Sequence, residues 1–119
     1  MTDVDPARVR ARLEADERET RERLESMQGD FAGVVDAQAD VATDDEHDPE
    51  GATIAFERAR VAALVDQARQ HLADIDAAVS RLDDGSYGSC ERCGRPIEGE
   101  RLAARPVART CMTCASRRR

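Results

Sequence analysis

The residues best equipped for chemistry in this 119-residue chain are four cysteines, set as Cys90-Glu-Arg-Cys93-Gly94 and Cys111-Met-Thr-Cys114. The pairs are separated by 17 residues, giving C-x2-C-x17-C-x2-C. That spacing lies in the range of four-thiolate metal sites. Two residues between thiolates let each pair approach a metal from one tight knuckle, and Gly94 suits the strained backbone just past the second sulfur. Four thiolates close a tetrahedron, so the expected site holds one structural zinc and has no open position in which to activate water. Iron in the same four thiolates, or free redox-active thiols, are the competing readings.

The cysteines lie in a segment of about 34 residues, too short to bury a self-sufficient core. Metal binding is therefore expected to supply most of its folding free energy. Everything upstream must position this module. Asp5-Pro6 is a helix start, with Asp as N-cap and Pro at the first helical position. Leu13, Thr20, Met27, Val34 and Val41 then share one heptad position, and Glu17, Leu24, Phe31 and Gln38 share the other. The seam is leaky at its polar members, and Gly29 and Gly33 predict a bend or break near 29–33.

Residues 42–50 interrupt the pattern, and Asp48-Pro49 repeats the start signal. The second seam is cleaner: Ile54, Val61, Ala68, Ile75 and Leu82 lie seven apart, with Val65, Leu72 and Val79 between them. A 3.5-residue period is that of a left-handed coiled coil. Asp83-Asp84-Gly85 should end this helix, with Gly85 in the left-handed conformation. A short polar connection makes the two helices antiparallel neighbours. The expected fold is thus mainly α: a long antiparallel helical hairpin over 1–85, its tip near 42–50, followed by a small four-cysteine zinc finger over 86–119. Two separate helices packed in a homo-oligomeric bundle are the alternative to a monomeric hairpin.

Composition agrees with long thin helices, since aromatics are 3% and charged residues 36% of the chain. No apolar run is long enough to span a membrane. The acidic start Met1-Thr2-Asp3-Val4-Asp5 does not read as a secretory signal. Cysteines confined to two CxxC pairs suit a reducing compartment, so a cytoplasmic protein is expected. The net charge of −7 is uneven: residues 1–85 carry 10 Arg against 22 Asp and Glu, whereas 86–119 carry 8 Arg against 3 Glu. Such a chain is a poor candidate for wrapping DNA and a better one for docking on a basic protein surface.

The residues around the cysteines carry a family resemblance. Tyr87-Gly88-Ser-Cys90-Glu-Arg-Cys93-Gly94-Arg-Pro96-Ile97, then Arg101-Leu102-Ala-Ala104-Arg-Pro106, then Cys111-x-x-Cys114, resembles the DksA/TraR four-cysteine zinc finger. The Arg-Leu-x-Ala-x-Pro insert makes the match more specific than the CxxC pairs alone, and the upstream hairpin also fits the DksA architecture. The resemblance implies a non-enzymatic transcription regulator that binds RNA polymerase. In that scheme the coiled coil passes into the secondary channel, its acidic tip near the catalytic magnesium, often together with guanosine tetraphosphate. The zinc module serves as a rigid base.

The tip candidates are Asp45, Glu46, Asp48 and Glu50, within a stretch that also holds Asp40 and Asp44 and has no basic residue. The D-x-x-D-x-A motif of DksA is not intact here. Aligning on Asp48-Pro49 puts Gly51 and Thr53 at its later positions, while Asp45-x-x-Asp48 puts Glu50 at the Ala position. An ordinary solvated turn capped by Asp48 is the plain reading of the same residues. His47 and His71 read as solvent-exposed and seam-flanking, and Arg117-Arg118-Arg119 as a solvated end. The sequence runs five residues past Cys114, without the long C-terminal helix of DksA, so contacts through such a helix are not expected.

Two other functions remain at this point. One is a zinc module binding nucleic acid through the basic residues of 92–119. The other is a coiled-coil stress or interaction protein without polymerase contact. No nucleophile–base pair suggests an enzyme.

Overall fold

The structure is a computed structural model; it describes residues 5–41 and 49–117, and the side chains of those outside 30–50. Four helices follow in order: α1 (Pro6–Val41), α2 (Pro49–Asp84), α3 (Gly99–Ala104) and α4 (Met112–Ser116). Among the described residues there is no strand, only an isolated antiparallel bridge between Ser89 and Pro96. The mainly α class is as the sequence indicates. α1 and α2 have 36 residues each, about 50 Å apiece at 1.5 Å per residue.

Asp5 caps α1 as expected: its carboxylate accepts from the Ala7 N–H at 3.1 Å, and its carbonyl from the Val9 N–H at 3.0 Å. α2 begins at Pro49, as the repeated Asp-Pro signal indicates. Its end is a Schellman turn. Gly85 takes φ +83°, and the Ser86 N–H reaches back to the Arg81 carbonyl at 2.9 Å. Of the bend or break expected near 29–33, a break is absent: α1 is continuous helix through Gly29 and Gly33. Two glycines cost about 2 kcal/mol of helix propensity, which a continuous 36-residue hydrogen-bond ladder tolerates.

The chain forms two compact units. One joins Met1–Arg18 to Ala73–Arg119, the other is Glu19–Leu72. The first unit brings the start of α1 to the end of α2, and the second contains the end of α1 and the start of α2. In the first unit Leu13, Ile75 and Ala78 are buried, and Arg10 pairs with Asp83 at 2.6 Å. In the second, Val61, Val65 and Ala68 are buried on the α2 seam and Thr20 on the α1 seam. Thr20, which the heptad pattern puts on the seam as a polar member, is fully buried there. Ala78 was not on the predicted seam; a helix of 3.6 residues per turn drifts by about 20° per heptad, which brings it inward beside Ile75.

Candidate metal centre

The segment after α2 folds around its own small core of Cys90, Ile97, Leu102, Ala108 and Cys111, with Tyr87 and Cys114 packed against it. The Tyr87 hydroxyl donates to the Pro106 carbonyl at 2.7 Å, closing the insert onto the start of the module. Its half-burial raises the phenol pKa against the pull of Arg81 and Arg12.

The four cysteine sulfurs converge, all lying within 4.8 Å of one another. The Cys93 and Cys111 Sγ atoms are 3.8 Å apart, too far for a disulfide. A tetrahedron with metal–sulfur bonds of about 2.3 Å has sulfur–sulfur edges of about 3.8 Å, so the donor set fits zinc. No other group of three or more metal-binding side chains comes together among the described residues.

The two knuckles are built differently. In the first, the Arg92 N–H points at Cys90 Sγ and the Arg95 N–H at Cys93 Sγ, each at 3.4 Å. Gly94 sits at φ +76°, and its N–H bonds the Cys90 carbonyl at 2.9 Å. A side chain there would strain the left-handed backbone that aims these amides at the sulfurs. The second knuckle is the entry to α4, with Cys111 at its N-cap in extended backbone. It is gripped by α3 and the residue before it. Arg101 Nε donates to the Thr110 carbonyl at 2.7 Å, and the Met112 N–H donates to Glu98 Oε1 at 3.1 Å.

The electrostatics of the sulfurs follow from these donors. Burial raises the Cys90 thiol, but the N–H groups of Cys93, Cys111 and Arg92, with the Cys114 side chain, outweigh it and bring the pKa down to about 6. Burial and hydrogen bonds with the other three cysteines push Cys114 up to about 12. The surroundings thus favour negative charge on Cys90 and disfavour it on Cys114. A bound divalent cation would neutralise that charge and release the remaining protons.

Contacts from the helices hold this module within its unit. Arg12 Nη1 donates to the Ala103 carbonyl at the end of α3 at 2.6 Å, and Arg109 lies 3.5 Å from Asp74. Arg101 and Arg109 are therefore half-buried structural braces, whereas Arg92, Arg95 and Arg105 are exposed. Of the tip candidates, Asp45, Glu46 and Asp48 lie outside the described residues, as does His47. Glu50 falls in the first turn of α2, its side chain undescribed. Glu98, Arg12 and Asp74 were not singled out from sequence, because single charged residues in a chain rich in charge carry no spacing signal.

A four-cysteine centre on a module after two long antiparallel helices defines a zinc-finger protein of the mainly α class. Residues 85–119 match the prokaryotic dksA/traR C4-type zinc finger. Among curated relatives, YteA of Bacillus subtilis is 37% identical over 75 residues, covering 63% of this chain and 31% of that protein. The RNA polymerase-binding transcription factor DksA of Caulobacter vibrioides is 51% identical over 43 residues, 36% of this chain and 30% of that protein. The matched stretches thus span less than a third of these relatives. Among solved structures, transcription factor DksA2 from Pseudomonas aeruginosa superposes with a TM-score of 0.77 at 26% identity. That match covers 94% of this chain and 81% of that one. No described helix is long and apolar enough to cross a membrane.

Proposed function

We propose that this chain is a non-enzymatic transcription regulator that binds RNA polymerase, built as a hairpin over 1–85 and a zinc finger over 86–119. Cys90, Cys93, Cys111 and Cys114 hold one structural zinc at its base. The paired helices enter the secondary channel and present Asp45, Glu46, Asp48 and Glu50. Guanosine tetraphosphate acts jointly with the polymerase, and the working form is a cytoplasmic monomer. The observation that carries this reading is the likeness to the DksA2 structure across 94% of the chain, far beyond the finger alone. The nucleic-acid alternative is weakened by the inward use of Arg101 and Arg109.

The test is transcription in vitro with RNA polymerase from the same organism. Asp45→Asn combined with Asp48→Asn should remove the effect on initiation while leaving polymerase affinity within about threefold, a change of less than about 1 kcal/mol. Equal loss of binding and effect would make the acidic segment a docking element instead. An unchanged effect would refute its role.

A further inference from the structure

The two cysteine knuckles are held by different sets of hydrogen bonds. The first carries its own organisation, with two backbone N–H groups directed at its sulfurs and Gly94 fixing the turn. The second has an internal bond, from the Ala115 N–H to the Cys111 carbonyl at 2.9 Å, but is also held from outside. Arg101 fastens the carbonyl of Thr110, the residue before Cys111, and Glu98 fastens the N–H of Met112, the residue after it. Cys111 is thus clamped on both sides by two side chains from one short segment. Arg101 Nη1 also lies 3.3 Å from the Met112 sulfur.

We propose that Glu98 and Arg101 form a latch that positions the second half of the metal site. They act as positioning residues for Cys111 and, through α4, for Cys114. The inference rests on the reading that the four thiolates hold zinc. The physical ground is that fixing the backbone of a ligand pair costs conformational entropy. A latch present before the metal arrives removes that cost from binding. Groups that orient metal ligands commonly change affinity by about 10–100-fold when removed. Glu98 is well suited to the part. Its own backbone N–H and that of Met112 hold its carboxyl below the usual range, and Arg101 adds to the effect. It is therefore a ready acceptor at neutral pH. Glu100, exposed in the same segment, offers a matched control for loss of charge.

The experiment uses the full chain and zinc competition with a chromophoric chelator, together with the cobalt(II) absorption spectrum as a report on sulfur geometry. Glu98→Ala and Arg101→Ala should each weaken zinc by about 10–100-fold. Glu98→Gln, which keeps the acceptor without the charge, should stay within about threefold, as should Glu100→Ala. The cobalt bands of Glu98→Ala should shift or broaden while those of Glu98→Gln match the unaltered chain. If Glu98→Ala binds zinc as tightly as the unaltered chain, the latch is refuted. If Glu98→Gln is as weak as Glu98→Ala, hydrogen-bond positioning is refuted and bulk charge is the cause. Failure of the unaltered chain itself to bind zinc would overturn the metal reading, a result distinct from either.

Discussion

Ile97→Ala should weaken zinc binding far more than its distance from any charge would suggest. Ile97 is 1% exposed in a core whose other members are Cys90, Leu102, Ala108 and Cys111. Its backbone is pinned by an N–H bond to the Gly88 carbonyl at 2.7 Å. Truncating a buried isoleucine to alanine costs about 2–5 kcal/mol. So small a module, two of whose five core residues are cysteines of the site, cannot absorb that cost elsewhere. If the module folds only with metal, binding and folding are one equilibrium, and the whole penalty appears as lost affinity. At 1.4 kcal/mol per decade, that is a loss of roughly thirtyfold to a few thousandfold. Ile97→Val, at about 0.5–1.5 kcal/mol, should lose only about two- to tenfold. Phe56→Ala, at a position 76% exposed on the other compact unit, is the control and should change nothing. Chelator competition reads all three. A loss below threefold for Ile97→Ala would refute the identity of metal binding with folding of the module.

Acid should release the zinc. The Cys90 pKa is depressed from 9.0 to about 6, so the stabilisation it represents is present in full above 9.0 and lost as the pH falls through about 6. Protons also compete with the ion for all four sulfurs, so metal retention measured by stepwise acidification should fall, and full retention at about pH 4 would contradict the assignment. In the helix pair, Ile75→Ala removes a side chain 1% exposed on the α2 seam and should cost about 2–5 kcal/mol in denaturant melts of helical circular dichroism. Loss of less than 1 kcal/mol would take Ile75 out of the load path between the helices.

Much of this was legible in the sequence, and the reasons are physical. The cysteines are found by spacing, because a tetrahedral ion needs ligand pairs on tight turns. The helix limits are found by Asp5-Pro6, Pro49 and Gly85, whose backbone preferences are local. Seam residues such as Val61, Ala68 and Ile75 follow from period alone. What spacing cannot reveal is tertiary compensation. The glycines at 29 and 33 read as a weak point and stand in continuous helix, and Thr20 reads as a leak and is buried. Glu98 left no trace in sequence because its role depends on the chain folding back to Met112, 14 residues away. Arg101 reads from sequence as a basic residue of the finger and as a brace of its fold, but its partner, the Thr110 carbonyl, follows only from the folded chain.

The most direct measurement is equilibrium binding of the labelled, zinc-loaded chain to RNA polymerase, followed by competition with a factor known to occupy the secondary channel. The account predicts a complex at micromolar concentrations or tighter, a binding free energy of about −8 kcal/mol or better, that the competitor displaces fully. No binding in that range, or a complex the competitor leaves intact, would contradict it.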